Sequence, residues 1–206
     1  MDRAGVPGIE EALRSYYDRE MSDRADRPLG EHRETRLTEF LHRCGDEGLS
    51  SVVEVGCGAG RDGTVLHAAG LDYAGVDFTS AAARMCSGLG LKAVQASAVT
   101  LPFADGSFDA AWSMSTLMHL PADGMRTALA EMQRVVRPRG LIEVGIWGGT
   151  EEREWTDQHG RYFYSRTDED IQSLLSAMGE ILAFGTWSRG QVGGHYQWAR
   201  VRRSGV

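Results

Sequence analysis

Short apolar runs that end at glycine alternate along this chain with longer stretches in which apolar residues recur every three to four positions. The first pattern predicts buried strands, the second helices packed on them. Val52, Val53 and Val55 form a β-branched run that ends at Gly56, which reads as a strand entering a turn. Residues 64–69 read as a helix stopped at Gly70. Residues 72–77 give a second strand, and a helix follows over 81–88 with Thr79 or Ser80 as its N-cap. Strands three and four are expected at 91–96 and 108–114, then a helix from about 123 to 136. Arg137-Pro138-Arg139-Gly140 ends that helix and leads into strand five, 141–147.

The flanks follow the same logic. Before the first strand, 9–17 is helix-like with Ile9, Leu13 and Tyr16 on one face, 24–30 is a break, and 31–43 is a second helix carrying Leu37, Phe40 and Leu41. After strand five, 148–160 is polar and reads as a loop. A helix over 167–178 opens with Thr167-x-x-Asp170, a variant of the capping box. Residues 181–187 and 195–201 have strand character and are separated by Gly190, Gly193 and Gly194, which predicts a closing antiparallel hairpin.

Composition narrows the class. A chain of 206 residues is long enough for one full core and is read as a single domain. Its net charge of −7 argues against a nucleic-acid backbone as the main partner. Cys44, Cys57 and Cys86 are odd in number and form no C-x-x-C pair, so neither a disulfide scaffold nor a metal site is expected. Met1-Asp2-Arg3-Ala4-Gly5 lacks the apolar core of a signal peptide, and no run is long enough for a membrane helix. A cytoplasmic protein without a membrane partner is the expectation.

The candidate chemistry lies at Glu54-Val55-Gly56-Cys57-Gly58-Ala59-Gly60-Arg61-Asp62-Gly63. Strand, glycine-rich turn and helix form the first half of a nucleotide-binding βαβ unit, in which a ligand lies on free main-chain N–H groups. Asp77 ends the second strand, where an acid accepts from ribose hydroxyls. Gly58-x-Gly60-x-x-Gly63 also fits the dinucleotide fingerprint, so an NAD(P)-dependent oxidoreductase is one alternative. Against it stand Glu54 inside the strand end, the longer turn, and a closing hairpin where a second βαβ repeat would be needed.

As a set, E-x-G-C-G-x-G, Gly75-Val76-Asp77 and Leu101-Pro102-Phe103-Ala104-Asp105-Gly106-Ser107-Phe108-Asp109 resemble the class I S-adenosylmethionine-dependent methyltransferases, type 11 branch, over roughly 52–203. The resemblance implies a Rossmann-like, doubly wound α/β fold. Its seven-stranded, mostly parallel sheet would have order 3-2-1-4-5-7-6, with helices on both faces. Residues 1–50 would form a helical cap, 51–147 the cofactor-binding core, and 148–206 the acceptor side. It implies S-adenosyl-L-methionine as cofactor, S-adenosyl-L-homocysteine as product, and an O, N or C nucleophile on a small-molecule acceptor. Glu54, Gly56, Cys57, Gly58, Gly60, Asp62, Asp77, Phe78, Ser97, Ala98, Val99, Met114 and Arg36 are the candidate cofactor residues. Ser97 departs from the acid usual in relatives, which leaves a neutral acceptor for adenine. The segment Met114 to His119 should line the reaction site. His119 is the candidate base, its ordinary pKa suiting proton removal at neutral pH. Tyr16, Tyr17, His119, Trp147, Arg161, Tyr162, Tyr164 and His195 are the acceptor-side candidates. A non-catalytic methyltransferase-like binding domain is the second alternative.

Overall fold

The computed structural model describes residues 7–190 and 194–205. Gly193, the first six residues and the Ile9 side chain lie outside the described residues.

Two helices precede the sheet, α1 (Pro7–Ala25) and α2 (Glu31–Asp46). Then come β1 (Ser51–Val55), α3 (Arg61–Ala68), β2 (Asp72–Asp77), α4 (Ser80–Gly88) and the short β3 (Ala93–Gln95). β4 (Phe108–Met114) leads through a single 3₁₀ turn, Leu117–His119, into α5 (Ala122–Val135) and β5 (Val136–Gly148). A two-stranded ribbon, β6 (Arg153–Thr156) and β7 (Tyr162–Ser165), precedes α6 (Asp168–Ser176), β8 (Gly179–Ser188) and β9 (His195–Arg203).

The main sheet has order β3-β2-β1-β4-β5-β9-β8. With the ribbon set aside, this is the expected order of seven strands closed by an antiparallel hairpin. β1 pairs in parallel with β2 on one side and β4 on the other. Chain order therefore reverses beside β1, and a crevice opens at the carboxyl ends of β1, β2 and β4.

The uninterrupted apolar strands follow from burial on both faces. Val52 and Trp112 point into a core with Leu37, Phe40 and Leu66, beneath α2 and α3. Val53, Val55 and Ala111 point the other way, towards Met125, Leu129 and Ile171 of α5 and α6. α1 is held by a small third cluster, in which its Met21 meets Ala59 and Ala82. Burying one such methionine is worth only about 1.5–3 kcal/mol.

Two expectations are corrected. Segment 148–160 is not simply a loop, since it contains β6, whose Trp155 pairs with Phe163 of β7. Four-residue strands are too short to show an alternation that stands out from polar neighbours. Arg137 to Gly140 is part of β5 rather than a separate turn. Arg139 takes a φ of 65° there, and the pairing register shifts between Phe108 and Ala110. Both N-caps are as expected: Thr79 accepts from Ala82 N–H, and Thr167 from Asp170 N–H.

Candidate functional site

At the carboxyl ends of β1, β2 and β4 lies a cavity of about 340 Å³, roofed by α1. Its floor is the turn Gly56-Cys57-Gly58. Gly56 has φ +85°, and a β-carbon there would lie 1.9 Å from Thr116 Oγ1. Gly58 has φ +49° and nothing within 4 Å of such a carbon, so the space above it is open. Asp77 fixes the turn from below. Its Oδ2 accepts from Gly58 N–H at 3.0 Å, and its Oδ1 accepts from Thr79 N–H and Oγ1, each at 2.9 Å. A carboxylate offers about four acceptor positions, so about one is left, on Oδ2, for a hydroxyl in the cavity. Burial pushes the Asp77 carboxyl pKa above its usual range.

Beside the turn stands a buried ion pair. Arg33 Nε donates to both oxygens of Asp62, at 2.9 and 2.8 Å, and Nη2 donates to Oδ2 at 2.6 Å. The buried Trp112 adds a bond from Nε1 at 2.6 Å. Asp62 is thereby fully committed to protein partners, while Arg33 still borders the cavity. Arg14, Arg24 and Arg61 are further cations on the wall. The Nε atoms of Arg14 and Arg24 are buried and have no hydrogen-bond partner among the described residues. These three cations make no ion pair with a carboxylate among the described residues, although Glu10 shares the wall, and they suit an anionic ligand group.

Helix α1 meets the turn after β4 through a bond between side chains. Tyr17 of α1 lies 2.7 Å from His119 Nε2, and His119 Nδ1 lies 2.7 Å from the Tyr162 carbonyl. A carbonyl only accepts, so Nδ1 carries the hydrogen and donates. Nε2 is then a bare lone pair, and the Tyr17 hydroxyl donates to it. Burial lowers the His119 pKa to about 4, so the ring is neutral at physiological pH.

The methyltransferase domain family, type 11, matches residues 53–144. The matched span runs from β1 through β5, the strands that build the cavity floor. Over that span the chain is similar to the class I S-adenosylmethionine-dependent methyltransferases. It is 30% identical over 123 residues to an Arabidopsis thaliana tRNA (carboxymethyluridine(34)-5-O)-methyltransferase, covering 55% of this chain and 29% of that one. It is 34% identical over 102 residues to the O-methyltransferase resE of Aspergillus sclerotiorum, covering 45% and 38%. The chain thus spans about a third of the length of these two relatives. In fold it is similar to a Burkholderia thailandensis 1,6-didemethyltoxoflavin-N1-methyltransferase crystallised with 1,6-didemethyltoxoflavin and S-adenosylhomocysteine. The TM-score is 0.76 at 22% identity, over 94% of this chain and 88% of that one.

Within this methyltransferase fold, the structure brings only part of the expected set to the cavity. Gly56, Cys57, Gly58, Asp62, Asp77 and Phe78 line it, with Ser97, Ala98 and Met114. Tyr17 and His119 complete the wall from the acceptor-side set. Glu54 does not reach it. Its side chain points beneath the sheet end and accepts from Tyr73 at 2.6 Å, with its pKa raised by burial. Gly60 caps α3 in a left-handed conformation, and Val99 packs against the core. Arg36 lies over the Trp198 ring at 3.9 Å and pairs with Glu39. Of the Met114 to His119 segment, Leu117 and Met118 turn into the core.

The remaining acceptor-side candidates form a second layer behind His119. Trp147 and Trp155 stack on Phe163, at 4.7 and 5.2 Å, and Phe163 meets the His119 ring at 4.6 Å. Tyr162 contributes its carbonyl to His119, while its hydroxyl donates to Glu154. Arg161 is held by Asp157 and covers Tyr16, which stands off the cavity wall. Tyr164 lies under Arg166. His195 pairs with Asp168 at the start of α6, away from the cavity. Sequence reasoning missed Arg14, Arg24, Arg33 and Arg61. The available signal was the i, i+4 spacing of Leu13, Tyr17 and Met21, which fixes the inner face of α1 and places Arg14 and Arg24 along it.

Proposed function

We propose that this chain transfers the methyl group of S-adenosyl-L-methionine to an O, N or C nucleophile of a small-molecule acceptor, by in-line displacement. The observation that carries the reading is the glycine turn pinned to Asp77 and open to the cavity. In this reading the free Oδ2 position of Asp77 takes one ribose hydroxyl. Phe78, Ser97 and Ala98 border the adenine, and Arg24, Arg33 and Arg61 take the carboxylate. The orphaned Arg14 and Arg24 nitrogens and the cation excess fit such a group. The bound cofactor supplies a sulfonium, already a good leaving group. The protein's part is to orient the acceptor and exclude water, which α1 serves by roofing the cavity. Residues 1–50 act as the cap, 51–147 as the cofactor core and 148–206 as the acceptor side.

A small acceptor is supported by the net charge of −7 and by the aromatic layer behind His119. The tRNA methyltransferase among the relatives favours a second reading, an RNA acceptor. The described cysteines are free thiols, in keeping with a reducing cytoplasmic compartment. No described helix is long and apolar enough to cross a membrane.

Calorimetric titration with S-adenosylhomocysteine, NAD and NADP tests the cofactor. Binding of S-adenosylhomocysteine alone is expected. Binding of a nicotinamide nucleotide instead, or of none of the three, overturns the reading. Release of S-adenosylhomocysteine from small acceptors or from tRNA then separates the two acceptor classes. Binding without turnover on either favours the non-catalytic domain.

A further inference from the structure

We propose that Tyr17 and His119 form a proton-accepting pair, and that the methyl acceptor therefore presents a hydroxyl or N–H group to the Tyr17 oxygen. This rests on the methyl-transfer reading and narrows its acceptor.

The argument starts from donors and acceptors. The Tyr162 carbonyl fixes hydrogen on His119 Nδ1, and the bare Nε2 then takes the Tyr17 hydrogen, both across 2.7 Å. The only hydrogen on the phenol oxygen is thus directed at His119. The Arg161 guanidinium also bears on this oxygen, and what the oxygen offers the cavity is its remaining lone pair, with no hydrogen. A ligand atom that satisfies it must carry a hydrogen, so a protic nucleophile fits and a carbon acceptor leaves it unmatched.

Position agrees. Tyr17 comes from the roof and His119 from the turn after β4, and both line the same cavity as Gly56 and Gly58. The charged groups acting on His119 are Arg24 of α1, and Arg161 and Asp157 at the turn of the ribbon. Arg24 lies 4.7 Å from the centre of the Tyr17 ring. Burial is the largest influence on both members, raising the phenol pKa and lowering that of the imidazole to about 4.

The proton movement follows. The acceptor O–H or N–H proton passes to Tyr17 Oη as the Tyr17 proton passes to His119 Nε2. The bonding pair of the acceptor stays on its nucleophilic atom. Tyr17 ends as a neutral phenol and His119 as an imidazolium, still donating through Nδ1 to Tyr162. A base this weak does not ionise a resting alcohol. It takes the proton only as the nucleophile becomes acidic in forming its new bond, and it returns the proton readily to solvent. Tyr17 is the catalytic contact, and His119 acts through it.

Two readouts test the pair. With histidine-labelled protein bound to S-adenosylhomocysteine, long-range proton–nitrogen NMR should show His119 as the neutral Nδ1–H form at neutral pH, charging only near 4. Tyr17→Phe should move the Nε2 signal and raise that midpoint, because the bond that favours the neutral ring is gone. An Nε2–H ring, or a charged one at neutral pH, overturns the proposal. The second readout is S-adenosylhomocysteine release from a panel of alcohols, phenols, N–H heterocycles and carbon acceptors that bear no O–H or N–H group. Tyr17→Phe and His119→Asn should each slow it by about 100-fold, with S-adenosylhomocysteine affinity kept within about threefold. Near wild-type rates in both variants, or turnover by the wild type of carbon acceptors only or of none of the panel, overturn it. Failure of the wild type to bind S-adenosylhomocysteine strikes the methyl-transfer reading itself, which keeps the two failures apart.

Discussion

The floor and the roof of the cavity are built by different means. The floor, from Val55 to Asp62 and from Asp77 to Thr79, is local in sequence and works through main-chain N–H groups on a charged acceptor. The roof joins α1 to the turn after β4, 102 positions away, by a bond between side chains. Around that bond lie aromatic edges and an arginine over a ring. Hydrogen bonds to a charged group are worth about 1.5–3 kcal/mol each, and a neutral one about 0.5–1.5. The floor is therefore a rigid support with narrow residue requirements. The roof is a set of modest contacts whose chemistry can be changed without losing the support.

The largest expected effect comes from the pair flanking the floor. Arg33→Met leaves Asp62, fully buried, with Trp112 as its only side-chain partner among the described residues. A stability loss of about 3–5 kcal/mol is expected in denaturant unfolding, since an uncompensated buried charge remains. Arg33→Lys should recover little, because an ammonium cannot reproduce the fork onto two oxygens. Loss of less than about 1 kcal/mol would mean that Asp62 draws its stability elsewhere.

Asp77→Ala comes next. It orphans Gly58 N–H, Thr79 N–H and the Thr79 hydroxyl together. About 3 kcal/mol of stability and about 100-fold in S-adenosylhomocysteine affinity should be lost. Affinity lost without stability would show that the carboxylate serves the ligand alone. Stability lost without affinity would show that it only braces the turn.

The same contrast explains what could be read from the chain. Gly56, Gly58 and Asp77 were legible because backbone angles and short spacings restrict which residues work there. The order of the seven strands came from the family resemblance, since turn residues mark where strands end and not which strands lie side by side. Arg33 was not, because a helix of alternating charges shows its inner face only against the sheet. Arg36 looked as suitable, yet it sits one turn further along α2, where Trp198 takes it. Tyr17 lines the cavity and its neighbour Tyr16 does not, and nothing in the sequence said which of the two rings faces inward. His195 and Tyr164 looked like acceptor residues by type, but Asp168 and Arg166 claim them.

A third test probes the roof through pH. His119 carries a pKa near 4 in the folded protein, against about 6.5 when unfolded. Between those values the unfolded chain binds more protons, so stability rises with pH across the window and falls as pH drops through it. Up to about 2–3 kcal/mol should be lost from pH 6.5 to 4 through this ring. His119→Asn should flatten that part of the stability curve obtained by urea unfolding at stepped pH. An unchanged slope would assign the acid loss to carboxylates instead.

The smallest effect separates the two arginines of α2. Arg36 is 12% exposed in its side chain and paired with a Glu39 that is 46% exposed. An ion pair with one half in water contributes at most about 1 kcal/mol, and the stacking on Trp198 a similar amount. Arg36→Ala should therefore cost about 1 kcal/mol of stability and leave S-adenosylhomocysteine affinity within about twofold of wild type. A loss of affinity comparable to that of Asp77→Ala would reverse the assignment. It would mean that α2 turns on ligand binding, bringing Arg36 rather than Arg33 to the cavity, and that the roof is remade each time the floor is filled.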